Sequence, residues 1–297
     1  MKTKSLFKIA AVVAVIFCVS CSKDSSSSDT GITALDAKTS SKIDQASNDV
    51  ADIVEEQEAN TYVNASTGKT ADISNSMLSD CAYVTRVPAF GTAPTVGQTV
   101  TKTIDFSHTS AAGCTLANGT NLKGKIIITF VYDPSATSHT ITYSFDGFYH
   151  NDNLIQGNKT ITRTWASSSL LATPHPIHSM SIDMTVTFAN GDVYTRVGTR
   201  TRECVEHFDN DNLNDNIYKL YGTVTTTKPN GVINTNTVTE ASPLRIEMNC
   251  QYRIVSGIIT ITRPNHTAVL DYGTGNCDNS ATISIDGGAP VAFTFGN

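Results

Sequence analysis

The chain has 297 residues, a formal charge of −6, 39% hydrophobic residues and 16% charged residues. That length suits one large domain or two small ones, and the mildly acidic balance excludes a nucleic-acid surface or polybasic docking on anionic lipid as the organising function.

The first twenty residues divide into the parts of an export signal. Lys2, Lys4 and Lys8 make a positive start, and residues 9–19 form an uncharged apolar run. That run is about half of the roughly 20 residues a membrane-spanning helix needs. It ends in Cys18-Val19-Ser20-Cys21, a small residue before a cysteine, which predicts cleavage before Cys21 and a lipid on that residue. Loss of the three signal lysines leaves 277 residues with a formal charge of −9. Residues 21–38 open on Ser22-Lys23-Asp24-Ser25 and read as a flexible, serine-rich tether.

Residues 39–60 carry a helical period. Ile43, Ala46, Val50, Ile53 and Val54 fall on one stripe, with Asp44, Asp49, Asp52, Glu55 and Glu56 mostly elsewhere. Ser41 and Asp44 have the spacing of a capping box. The expectation is an amphipathic helix packed on a sheet or bridging from tether to domain, with partner binding as the sharper alternative.

From residue 80 to 297 the period is two. Met180, Ile182, Met184, Val186 and Phe188 alternate with polar or small residues before Asn190-Gly191, the signature of a two-residue type I′ hairpin. That turn predicts Phe188 opposite Val193, Val186 opposite Thr195 and Met184 opposite Val197, with Thr185 and Arg196 facing outward. Further strands are expected at 125–132, 140–148, 159–165, 218–227, 232–240, 258–262, 266–272 and 281–285, separated by turns such as Asp133-Pro134, Pro229-Asn230-Gly231 and Pro264-Asn265. The fold class is therefore all-β: antiparallel meander sheets, built as a sandwich, an open barrel or one curved sheet, with one N-terminal helix.

The two ends of this region repeat one another. Cys81-Ala82-Tyr83, Ile104-Asp105-Phe106 and Gly113-Cys114 match Cys250-Gln251-Tyr252, Leu270-Asp271-Tyr272 and Gly275-Asn276-Cys277. The repeat selects disulfides Cys81–Cys114 and Cys250–Cys277 and leaves Cys204 as an unpaired thiol. These five cysteines contain no Cys-x-x-Cys spacing, which argues against zinc or thioredoxin-type chemistry.

Lys123-Gly124-Lys125-Ile126-Ile127-Ile128, Phe145-Asp146-Gly147-Phe148-Tyr149-His150-Asn151 and Asp271-Tyr272-Gly273-Thr274-Gly275-Asn276-Cys277 resemble β-rich lipoproteins of Flavobacteria and other Bacteroidota over most of residues 80–295. The start of the mature chain resembles theirs too, and Lys23-Asp24 stands where a short charged motif favours outer-surface display. The resemblance implies an outer-membrane, lipid-anchored and surface-exposed location, and implies no activity.

Candidate sites are sparse. Asp209, Asp211 and Asp215 offer hard oxygens to calcium, the one cofactor the sequence suggests, but in a loop lacking the EF-hand glycine and glutamate. Asx-rich loops also form turns for their own sake. His175-Pro176-Ile177-His178 places two imidazoles in an expected loop. Asp105 and Asp271 recur in the repeat and would serve a paired-carboxylate hydrolase if they converged. Tyr143, Tyr149, Trp165 and Tyr194 would make a glycan-stacking platform if they shared an exposed face. No catalytic serine elbow or phosphate loop is present, so no catalytic residue is assigned. The expected function is a non-enzymatic binding or scaffold protein of the envelope, bound to the membrane through its lipid, with an envelope protein or a glycan as partner. The alternatives are a glycan-directed hydrolase and a glycan-binding module.

Overall fold

A computed structural model of the chain describes residues 31–67, 77–210 and 212–295. Cys21 and the expected export signal lie outside the described residues. Helix α1 (Ala34–Thr67) is followed by β1 (Tyr83–Val87), β2 (Thr99–Asp105), β3 (Cys114–Thr115), β4 (Asn121–Val131), β5 (Ser138–His150), β6 (Asn153–Ala166), β7 (His175–Thr187) and β8 (Val193–Glu206). Then come β9 (Ile217–Thr227), β10 (Ile233–Val238), β11 (Leu244–Glu247), β12 (Ile254–Arg263), β13 (His266–Thr274), β14 (Ser280–Ile285) and β15 (Val291–Thr294). All fifteen strands among the described residues form one antiparallel meander. One position in the meander is filled twice: β10 and β11 together span the gap between β9 and β12.

The helix starts at Ala34, so residues 34–38, expected in the tether, are helical. The capping box is Thr33 with Asp36, not Ser41 with Asp44. The Thr33 amide donates to Asp36 Oδ2 at 2.9 Å, and the Asp36 amide to Thr33 Oγ1 at 3.2 Å. Ser41 lies inside the helix and its hydroxyl accepts from Tyr272 Oη at 3.1 Å.

Every residue from 46 to 58 is buried, the acidic ones included. Ile43, Val50, Ile53 and Val54 are buried as their stripe predicts, yet Asp49, Asp52, Glu55, Glu56 and Glu58 are buried too. A helical stretch with no wet face must have walls on all sides. They come from one sheet: β2, β5, β6, β7, β8, β10, β12 and β13 all send side chains to α1. The sheet is curled around the helix, with β1 and β15 at the two ends of the strand order.

The β7–β8 register corrects the sequence expectation. Phe188 N donates to Asp192 O at 2.9 Å and Gly191 N to Phe188 O at 2.8 Å, so the loop is the three residues Ala189-Asn190-Gly191, with Gly191 left-handed at φ 89°. Met184 therefore pairs with Arg196 and Met180 with Arg200. Slipping a strand by one residue exchanges its faces. Arg196, Arg200 and Arg202 point inward and are buried, while Val193 and Val197 face out at 43% and 47% exposure. The inward face is basic because the helix it meets is acidic.

Two other turns aim side chains. Asn151 and Asp152, with φ 48° and 64°, make the tight β5–β6 turn. A bulge at Gly124 and Gly147 shifts the β4–β5 pairing; a Cβ on Gly124 would lie 2.0 Å from Gly147 O. Tyr143 faces the core before this bulge and His150 after it, which turns Tyr149 outward.

The disulfides Cys81–Cys114 and Cys250–Cys277 are formed, and Cys204 is a buried thiol. Each bridge flanks the same unit, a cysteine, two paired strands, a cysteine and a third strand, at the two ends of the meander.

Candidate functional site

The helix carries its carboxylates in sequence order past a series of bases, and the result is a ladder of buried ion pairs. Asp36 accepts from Arg263 Nη2 at 3.0 Å and pairs with Lys228. Asp44 binds Arg196, whose other arm donates to Ser40 at 2.8 Å. Asp49 meets His150 Nε2 at 2.8 Å. Asp52 is held by Arg202 and Arg253, and Glu55 by Arg202 at 3.1 Å. Glu58 ends the run against Arg163 at 2.9 Å. The bond from His150 and the charge of Arg253 outweigh burial and hold Asp49 below the usual carboxylate range. For Glu58 burial wins over Arg163, and its carboxyl is pushed up to about 7. Burial lowers two lysines facing the helix, Lys102 and Lys159, to about 7. The carboxylates of this ladder are each engaged by a base of the sheet, which makes the ladder structural.

The open ground lies beside the first half of α1. A cleft of about 770 Å³ has Leu35, Lys38, Thr39, Lys42 and Gln45 as one wall, a single stripe of the helix surface. The opposite walls are the β5–β6 turn, Asn151 to Asn153, and the β7–β8 turn with Asn190, Asp192 and Tyr194. Adjacent hairpins turning at the same end of the sheet bring these together. Lys123 is neutralised by Asp152 at 2.7 Å, and Asp192 accepts from Asn190 Nδ2 at 2.8 Å. Phe188 and Tyr194 meet edge to face, centroids 5.3 Å apart. Lys38 and Lys42 have no carboxylate within ion-pair distance among the described residues. The cleft thus offers two unpaired ammonium groups and several side-chain amides.

A second, smaller cavity of about 170 Å³ lies beside the other half of the helix, between Glu55, Arg202, His178, Asn216 and the indole of Trp165.

The residues singled out from sequence do not converge. Tyr143 is buried at 4% exposure in the core, Tyr149 is on the outer face, Trp165 borders the small cavity and Tyr194 the large cleft, so the four make no shared platform. His175 and His178 are in β7, not a loop, and odd spacing sends them to opposite faces. His178 meets Glu55, whereas His175 meets Glu203 at 2.8 Å and Thr173 O at 2.7 Å. Glu203 also accepts from Ser168 Oγ at 2.5 Å and Tyr221 Oη at 2.7 Å. The serine bonds the carboxylate and not the imidazole, so this cluster is not a nucleophilic triad. It latches the segment before β7 onto the outer face.

Asp105 and Asp271 each accept the backbone amide two residues ahead, Ser107 N at 2.9 Å and Gly273 N at 2.8 Å. Both close their own turns, on the face opposite buried Phe106 and Tyr272. Asp211 lies outside the described residues. Asp215 faces Asn210 Nδ2 at 3.4 Å, and Asn210 and Asn212 cap the amides two residues on, a run of Asx turns. Among the described residues no group of three or more His, Cys, Asp or Glu is placed to hold a metal.

The basic inner face went unread in the sequence. Its signal was there: Arg196, Arg200 and Arg202 at alternate positions, opposite a helix rich in carboxylates. No family model, curated protein or solved structure matches the chain.

Proposed function

We propose that the protein is a non-enzymatic binding protein of the cell envelope, held at the outer membrane by lipid on Cys21 and engaging its partner at the cleft beside the first half of α1. The observation that carries this reading is the contrast between interior and cleft. Groups with acid–base chemistry are locked into the ladder, while Lys38, Lys42 and the turn amides are open and unspent. An acidic chain that keeps in one concave surface two lysines with no carboxylate partner among the described residues suits an anionic partner. The flavobacterial lipoprotein resemblance supports the address. The glycan-directed hydrolase is the weaker reading, because Asp105 and Asp271 are each engaged by their own turn.

Protease shaving of intact cells tests location, with Cys21→Ala as the comparison. Lipid anchoring predicts loss of membrane fractionation in that variant. Unchanged fractionation would refute the anchor. Binding is tested by retention of purified protein on envelopes from a deletion strain. Retention should fall with added salt and fall several-fold in Lys38→Glu/Lys42→Glu. Equal retention of that variant would refute the cleft as the docking surface.

A further inference from the structure

We infer that the end of the sheet where α1 begins docks on a lipid bilayer, its cleft taking a zwitterionic headgroup: phosphate at Lys38 and Lys42, ammonium at Asp192. The inference rests on the reading of the cleft as the docking surface and names its partner. Antiparallel register fixes which turns share an end. The β5–β6, β7–β8 and β9–β10 turns lie at one end, and α1 starts there, because Asp36 pairs with Lys228 of the β9–β10 turn. Leu35, Val193 and Ile233 at this end are 68%, 43% and 54% exposed, an apolar rim beside the cleft.

The far end has exposed apolar residues too, Val87 and Trp165 among them, so charge and connectivity decide between the ends. Turns at the far end carry Asp133, Asp215 and Asp278, held by Ser135, Asn210 and the Ser280 amide and not by a base. At the near end Asp152 and Asp286 are paired with Lys123 and His266, and the lysines left over are in the cleft. Eleven residues separate Cys21 from Ile32, a reach of at most about 40 Å. The 14 residues of β6 run about 46 Å from near end to far, so a lipid on Cys21 holds the near end closer.

The cleft's charges select the headgroup. Lys38 and Lys42 are one helical turn apart, and no arginine lines the cleft. Ammonium groups suit phosphate as point charges, whereas planar matching of carboxylates belongs to arginine. Asp192 lines the same cleft, bonded to the Asn190 amide and to no base among the described residues. Three lysines against two aspartates leave the lining close to neutral, and the chain's formal charge of −6 repels a purely anionic surface. A headgroup carrying both signs meets both conditions.

Trp165 is the sole tryptophan and reports the far end; Leu35→Trp in a Trp165→Phe background reports the near end. Residues 21–297, which keep every described residue, are coupled through Cys21 to a maleimide lipid; Cys204 is buried. The tether is then the same in every variant and independent of lipidation in the cell. Vesicles are of brominated phosphatidylethanolamine and phosphatidylcholine, or of brominated phosphatidylglycerol. In the zwitterionic vesicles the introduced indole should be strongly quenched and Trp165 not. Lys38→Glu/Lys42→Glu should cut that quenching severalfold. Asp192→Lys should cut it there and raise it on phosphatidylglycerol. Near-end quenching that ignores the lysine pair, does not exceed that of Trp165, or is as strong on phosphatidylglycerol overturns the inference. Absent quenching, with lysine-dependent retention on envelopes, also overturns it but leaves the cleft as the docking surface, its partner then a protein or glycan.

Discussion

Replacing Arg202 by Met tests the ladder where it is most densely wired. The guanidinium is 1% exposed, donates one arm to Asp52 and the other to Glu55 at 3.1 Å, and lies 3.8 Å over the Tyr218 ring. At an effective dielectric of about 20, each opposite charge some 4 Å away contributes roughly 4 kcal/mol, most of it offset by desolvation. The ring contact adds about 2 kcal/mol in a dry site. Met keeps much of the volume but leaves two buried carboxylates to Arg253, His178 and Arg163, so Arg202→Met should lose about 3–5 kcal/mol. At roughly 2–4 °C per kcal/mol for a domain of this size, Tm falls by about 10 °C. Urea unfolding followed by circular dichroism gives the free energy. The triple variant Arg202→Met/Asp52→Asn/Glu55→Gln should recover at least half the loss, because the stranded charges go with their partner. A single variant within about 1 kcal/mol of wild type, or a triple variant no more stable than the single, would refute the account.

Three further outcomes follow from the same geometry. Lys102 and Lys159 are lowered to about 7 by burial, so between that value and about 10.5 the unfolded chain holds protons the native state has released. Stability should therefore rise with pH from 7.5 to 9.5, by at most about 1.4 kcal/mol per pH unit per lysine, and Lys159→Met should flatten the slope; a falling profile in urea melts contradicts this. The disulfides close loops of 33 and 27 residues, so Cys81→Ala/Cys114→Ala or Cys250→Ala/Cys277→Ala should each lose about 3.5 kcal/mol by the chain-entropy relation, read from the same melts. Cys204 is 1% exposed with its thiol pushed up to about 12, chiefly by burial, so iodoacetamide should label it only after unfolding; labelling of the native protein within minutes would show that the site opens.

The strands and cysteine framework were legible because they rest on local signals: alternation, turn residues and a repeated Cys-x-Tyr. The helix stripe from Ile43 to Val54 was legible for the same reason. What local pattern could not tell was which face of a strand is inside. Reading Val193 and Val197 as inward and Arg196 as outward assumes a greasy core, and here the core element is itself acidic. One residue more in the Ala189-Asn190-Gly191 loop reverses the assignment. The tight β5–β6 turn fell on Asn151-Asp152, a weaker signal than Asn-Gly. His175 and His178 looked like loop residues because Pro176 lies between them, yet proline is tolerated near the start of a strand. The two candidate sites combine helix positions 35–59 with turns and strands over a hundred residues away, and no local pattern encodes that juxtaposition.

For the exported lipoprotein proposed above, an interior helix made of acids has a consequence that begins before folding. Thirty-four residues of helix are ample to span a bilayer, and a greasy version directly behind the proposed export signal would invite the translocation machinery to leave it there. Asp44, Asp49, Asp52, Glu55 and Glu58 forbid that stop. They also keep the segment hydrated while it waits, because the bases that neutralise it arrive late: Arg263 lies 227 residues after Asp36, and Arg253 201 after Asp52. Contacts so distant form slowly. A soluble centrepiece can tolerate the delay, whereas a hydrophobic one would find other company first.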